Sequence, residues 1–360
     1  MEKCISKILI IGIVLLSGFL TSACNSDEPN GDIDYLAGDM MIVDVNGVTM
    51  YFLDNHDGTV SITYDQRNPM HKTSDNKYTL TDYVGELIVP ASITFKGQTY
   101  QVTGVTEGAF MNNTQLTKVV LPVGIKTIGQ MAYFGCTALE EANVPEGVGD
   151  IPGYCFQNCR ALRTVDMPQH LNSIGADAFK SCTKIESMRI PEGITSLPDE
   201  MFSGFSSMTN LSLPSTLRNV GVKTFMSCSK LLELEIPTGM TELSDSAFAN
   251  CSGLLVLTLP ETMQTLGVGS FAGCRALIEV TIPESVKEIK PGCFCSVNSK
   301  GEPNWKRLTL NVKSTIPPKV TGTIANQTER RRIVVPRGYR DVYLETPYWN
   351  EFLQVMERNY

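Results

Sequence analysis

Histidine and tryptophan are scarce in this chain, at three and two residues of 360. His56, His71 and His170 are well separated, and none falls in a recognisable Ser/His/Asp or Cys/His arrangement. There is no glycine loop of the phosphate-binding kind and no dinucleotide fingerprint. Nothing here names a catalytic residue or a cofactor, so the chain reads as a non-enzyme. Positive charge is also short. The formal net charge is -8; the first 23 residues hold Lys3, Lys7 and Glu2, so the remainder carries -9. An acidic body excludes a binder that tracks nucleic-acid phosphates, which needs a basic face. The one dense basic run, Arg330-Arg331-Arg332 with Arg337 and Arg340 nearby, reads as a solvated surface. Long apolar runs are missing beyond residue 23, which argues against a polytopic membrane protein.

The N-terminus has the layout of a targeting segment and is set aside before the fold is read. Lys3 and Lys7 precede an apolar run from Ile8 to Leu16, continued by Gly18, Phe19 and Leu20; Thr21-Ser22-Ala23 and Cys24 follow. The run is shorter than the about 20 apolar residues that span a bilayer. This arrangement resembles a bacterial lipoprotein signal over residues 1–23. That resemblance implies Cys24 as the lipid-attachment residue and the lipid as the only membrane contact. Residues 24–38, with Asp27-Glu28-Pro29-Asn30-Gly31-Asp32, are polar, acidic and broken by Pro and Gly, so they are expected to be a flexible tether. The acidic stretch behind the cysteine resembles the signal that sends lipoproteins to the cell surface in Bacteroides-like bacteria. It implies an outer-membrane, surface-exposed location, with a periplasm-facing anchor as the alternative.

The rest of the chain is dominated by one period. Proline falls at 122, 145, 168, 191, 214, 237, 260 and 283, every gap being 23. An aromatic recurs at Phe110, Tyr133, Phe156, Phe179, Phe202, Phe225, Phe248, Phe271 and Phe294 on the same grid. Cysteine occupies 136, 159, 182, 228, 251 and 274, with Phe205 in the gap. Apolar residues keep step, as in Leu162-x-x-Val165-x-Met167-Pro168 followed by Leu171 and Ile174. Alternation before each proline predicts a short half-buried strand, which the proline ends because it cannot donate to the next ladder bond. The Ala-Phe-x-x-Cys segment supplies the turn. One such unit cannot bury both of its faces, so the units must stack.

The pattern resembles the 23-residue bacterial class of leucine-rich repeat, and the whole chain resembles the BspA-like surface proteins of Bacteroides-type bacteria. The resemblance implies a β-rich, right-handed solenoid of 23-residue coils with a parallel sheet. It also implies adhesion or partner binding, to a protein or glycan that it does not identify; the alternative role is a structural or assembly component of the cell envelope. The repeats cover 86–310. A β-hairpin cap is expected at 39–85, from Met41–Val45, Asn46-Gly47 and Val48–Leu53, then a third strand over 59–64 and a polar loop over 65–77. Glu86–Pro90 resembles the first repeat strand, and a second hairpin turns at Lys96-Gly97. A short α/β cap is expected at 311–360. There Ile333–Pro336 would be the last strand, and 339–343 and 349–356 short amphipathic helical pieces. Leu308 and Leu310 match Val280 and Ile282 at a spacing of 28.

Nine cysteines remain once Cys4 and Cys24 are set aside. Stacked strands lie about 4.8 Å apart, whereas a disulfide wants Cβ atoms nearer ~3.8 Å, so the ladder is expected to be buried free thiols filling apolar space. Cys155/Cys159 and Cys293/Cys295 have no matching second pair, which leaves a zinc site unsupported. Asp54-Asn55-His56-Asp57-Gly58 has the wrong acidic spacing for an EF-hand and reads as a turn.

What remains is the outward strand surface. One column, Val120, Asn143, Asp166, Arg189, Ser212, Glu235, Thr258 and Thr281, is mixed and polar. Its neighbour runs Thr117, Glu140, Arg163, Glu186, Thr209 and then turns apolar at Leu232, Leu255 and Ile278, with Val256 alongside. These four residues are the candidate binding patch. The competing expectation is that the returning loop half-covers the column, which then merely packs.

Overall fold

The computed structural model describes residues 40–65, 71–72, 78–79, 83–295, 308–324, 331–352 and 354–360. The signal-like segment, Cys24, the tether, and Arg330 lie outside these residues.

Strands of three to six residues recur along the chain and pair in parallel. Ala142 pairs with Val165, Met188 with Leu211 and Leu234 with Leu257, each partner 23 residues on. The central residue of each strand points inward: Leu234, Leu257 and Val280 are buried while their neighbours in the strand are exposed. The ladder comes in groups. Gly85–Ile88 through Thr164–Asp166 form one, Ser187–Arg189 with Asn210–Ser212 a second, and Glu233–Glu235 with Val256–Thr258 a third. Glu279–Ile282 through Gln354–Arg358 form the fourth.

A second series of two-residue strands follows each proline and was not foreseen: Asp150–Ile151 pairs with Ser173–Ile174, and Thr265–Leu266 with Glu242–Leu243 and Glu288–Ile289. Each buries its second residue, the aliphatic one that follows the proline in the repeat.

The turn segment stacks as tightly as the strands. From Phe110 to Phe294 the rings lie face to face, with centroids 4.7 Å apart at Tyr133–Phe156 and 6.1 Å at Phe179–Phe202. At that widest step Phe205 replaces the repeat cysteine and meets Phe202 edge-on at 5.3 Å. The cysteines are free and buried as expected, but they are not passive filler. Each ladder thiol donates to the carbonyl of the aromatic residue 26 positions earlier: Cys136 to Phe110 at 3.0 Å, Cys182 to Phe156 at 3.1 Å, Cys251 to Phe225 at 3.2 Å. Burial pushes the thiols of Cys155, Cys159, Cys182 and Cys274 up, and that of Cys293 to about 12.

The turn also carries two columns of left-handed backbone. Met131, Tyr154, Asp177, Glu200, Lys223 and Ser246 all have φ between 54° and 60°. Four residues on, Asn112, Gly135, Asn158, Ser181, Gly204, Ser227, Asn250 and Gly273 have φ between 59° and 80°. The second column holds only Asn, Gly and Ser; for Gly and Asn this is the selection the left-handed region imposes.

At the N-terminal end, Met40–Val45, Val48–Asp54 and Thr59–Thr63 form an antiparallel meander, and Thr59–Thr63 pairs in parallel with Gln98–Val105. The turns at Asn46-Gly47 and Lys96-Gly97 have positive φ at both central residues, the geometry that two-residue hairpins prefer. Gly85–Ile88 pairs with Leu116–Val120 and so joins the repeat ladder. Within the expected polar loop, His71–Lys72 pairs with Tyr78–Thr79.

Two expectations at the C-terminal end are corrected. Val280 pairs with Leu310 and Ile282 with Val312, a spacing of 30 and not 28. A slip of two residues leaves every side chain on the same face, so apolar alternation could not separate the two. The described residues of 349–356 are not helical: Trp349 lies in a turn and stacks with Phe352, and Gln354–Arg358 is a parallel strand on Arg331–Pro336, which is therefore not the last. The hydrogen bonds offered by the open edge outweigh a weak amphipathic pattern. A helix does form at Arg340–Glu345. Tyr343, Trp349 and Phe352 are buried; Tyr343 Oη donates to the Ser314 carbonyl and Trp349 Nε1 to that of Pro318, each satisfying its polar tip. Arg332 Nε donates to Gln354 Oε1 at 2.7 Å, and Arg337 and Arg340 are exposed.

Candidate binding surface

The outward face of the longer strands changes character along the stack. Toward the N-terminus it is charged and paired: Lys118 bridges Glu86 at 3.5 Å and Glu141 at 3.3 Å, and Arg163 meets Glu140 at 3.8 Å. From the coil of Glu233–Glu235 onward the same columns carry aliphatic side chains in water. Leu232 is 47% exposed, Leu255 50%, Val256 50% and Ile278 58%. About half of each side chain is covered and about half stands in water, so the column is not packed away. Leu232, Leu255 and Ile278 sit at the strand entrance with side chains on the outer side, while Leu231, Leu254 and Leu277, one residue earlier, take the inward place. The run stops at the next coil, where Leu308 is buried.

Beside this strip lies a groove of about 680 Å³. It crosses the step between the Asn210–Ser212 and Glu233–Glu235 strands, where the ladder is interrupted. Leu232 and Val256 line it; Leu255 and Ile278 extend the apolar strip outside it. The structure therefore brings all four patch residues onto one face but puts only two in the groove. The rest of the lining mixes apolar Met188, Leu211 and Leu234 with polar residues that were not singled out from the sequence, chiefly Arg189, Thr209, Asn210, Ser212, Glu233 and Glu235. The signal was present, because Arg189, Ser212 and Glu235 share a column that reads as ordinary solvated surface until its neighbour turns apolar.

Nothing on the described residues assembles a reactive centre. No group of three or more His, Cys, Asp or Glu there could hold a metal ion. His56 and His170 are both exposed and lie in different parts of the chain. Around His56 the loop is the expected turn, with the His56 amide donating to Asp54 Oδ1 at 2.8 Å and the Thr59 amide to Asp57 Oδ1 at 3.0 Å. All the described cysteines but the half-buried Cys295 are buried, and at Cys155, Cys182 and Cys293 burial favours the unreactive protonated form. No helix among the described residues is long and apolar enough to cross a membrane.

Among solved structures the fold is similar to that of a leucine-rich repeat protein from Bacteroides ovatus ATCC 8483. That protein is 22% identical, with a TM-score of 0.64, and the match covers 90% of this chain and 76% of that one. A leucine-rich cell surface protein from Faecalibacterium prausnitzii A2-165 is 18% identical over 93% of this chain and 97% of that one, with a TM-score of 0.43. A T. pallidum leucine-rich repeat protein is 25% identical over 67% of this chain and 89% of that one, with a TM-score of 0.41. No curated protein sequence matches. The family model for the BspA-type leucine-rich repeat region matches residues 103–231 and 173–300, with six copies. These matches span more than half of the sequence, and the chain belongs to the BspA-type leucine-rich repeat family.

Proposed function

We propose that the chain is a non-catalytic binding module, held at the bacterial outer surface by a lipid on Cys24, whose outer strand face engages a protein or glycan. The exposed strip of Leu232, Leu255, Val256 and Ile278 beside a groove of mixed polar and apolar lining carries this reading. Contiguous apolar side chains left in water are costly to keep and mark interaction surfaces. Membership of a repeat family that is generally non-catalytic supports binding over catalysis. The signal-like N-terminus and the acidic tether support the anchor and the surface location. In this reading the coils form a right-handed stack, closed at one end by the hairpin sheet of 39–85 and at the other by the helix and aromatics of 311–360.

Protease shaving of intact cells, with labelled-lipid incorporation into wild type and Cys24→Ala, tests the anchor and its exposure. The released chain is then applied to an array of matrix proteins and glycans. Saturable binding to an array member that is lost in Leu232→Glu/Leu255→Glu is the expected result. Binding to no array member, together with co-purification of envelope proteins, would replace this reading with a structural role in the envelope.

A further inference from the structure

We propose that the groove takes a polypeptide segment in which Lys or Arg side chains flank aliphatic ones, and does not take a sugar chain. This rests on the reading of the outer strand face as a binding surface. Glu233 and Glu235 line the groove two residues apart on one strand, and so point to the same side, about 6.7 Å from one another. Neither has an ion-pair partner among the described residues, whereas toward the N-terminal coils the outer face carries paired carboxylates, Glu86 and Glu141 with Lys118 and Glu140 with Arg163. Two unmatched carboxylates standing directly beside exposed Leu232 and Val256 form a combined apolar and anionic surface. Its complement is an aliphatic side chain next to a cation. Arg189 lies two coils away in the column of Glu235, so the groove is cationic at one end and anionic at the other. It therefore also fixes the direction in which such a segment lies. The groove lining contains no aromatic residue on which a sugar ring could stack.

The test is fluorescence anisotropy on the soluble chain from residue 39, the compact unit that contains all of the repeats, alongside the full chain in detergent. The probe is a short labelled peptide alternating Leu and Lys, compared with one alternating Leu and Glu and with maltoheptaose as competitor. Expected are saturable binding of the Leu–Lys peptide, no binding of the Leu–Glu peptide, and affinity roughly tenfold weaker in Glu233→Gln/Glu235→Gln. Leu232→Gln and Val256→Gln, which remove the aliphatic outer part of the lining without changing its charge, must also weaken binding. Circular dichroism verifies folding in each. No change in Glu233→Gln/Glu235→Gln, or in both Leu232→Gln and Val256→Gln, would mean diffuse attraction to an acidic protein and overturn the proposal. Displacement by maltoheptaose would overturn it in favour of a glycan. A cell-surface ligand that needs Leu232 and Leu255 but is indifferent to Glu233 and Glu235 would keep the binding surface and remove its cationic partner.

Discussion

The thiol of Cys159 donates to the carbonyl oxygen of Tyr133, 26 residues earlier, at 3.0 Å across a coil boundary. That contact turns a small apolar filler into a polar clasp, and the two roles predict opposite mutational orders. Cys159→Ala removes the donor and opens a void, and is expected to cost about 1–3 kcal/mol. Cys159→Ser keeps a donor at nearly the same place and should cost less. Urea midpoints for the two variants decide the matter: if Ser proves worse than Ala, the sulfur acts only by filling space.

Tyr133 also presents a liability. Its ring stacks between Phe110 and Phe156, but its hydroxyl is buried with no hydrogen-bond partner. The other aromatic positions of this column are all Phe. Tyr133→Phe removes an unsatisfied group without disturbing the stack, and should stabilise the protein by about 1 kcal/mol. A lower thermal midpoint in this variant would show that the hydroxyl has a partner after all.

Gly135 combines two constraints. Its φ is +71°, and a Cβ there would run into the side chain of Asn112 in the preceding coil. Gly135→Ala is expected to destabilise by roughly 1–3 kcal/mol. Adding Asn112→Gly should recover part of that loss by removing the clash while leaving the φ penalty. A double variant no better than the single one would assign the whole effect to backbone strain.

The buried thiols impose an alkaline limit. Burial raises the folded-state values of Cys155 and Cys182, and that of Cys293 to about 12, from an ordinary value of 9.0. Thiols of the unfolded chain therefore ionise first as pH rises. Their contribution is fully present below about pH 9 and is lost between there and the folded values. The urea midpoint should fall as pH rises from 8 to 11, and Cys155→Ala should flatten that slope. Equal slopes in wild type and variant would place the alkaline sensitivity elsewhere.

How much of this was legible in the sequence differs by element for physical reasons. Proline, aromatic and cysteine columns are written one residue type per position, so the aromatic and thiol stacks were readable directly. The two-residue strands were not, because a single buried aliphatic after a proline, such as Ile151 or Leu266, gives no alternation to detect. One left-handed column was hidden because Met131, Tyr154, Glu200 and Lys223, which carry no turn signal, interrupt its Gly, Asp and Ser residues. The other could have been found from its restriction to Asn, Gly and Ser. The apolar strip was found at Leu232, Leu255 and Ile278, but its exposure was not decidable. Leu231 and Leu254 stand beside it with the same chemistry and are buried, and only the backbone path distinguishes inside from outside.

The coil boundaries from Phe110 to Phe294 share their parts, with rings stacked on rings 23 residues apart and, wherever the column holds a cysteine, a thiol reaching back 26. Excising or duplicating one period therefore joins surfaces that already fit. Chain length can drift by whole periods through recombination without any new interface being invented. The groove would then move relative to either end in steps of about 4.8 Å, so the distance at which it is held from the N-terminal end is an inherited quantity that can change while its walls stay the same.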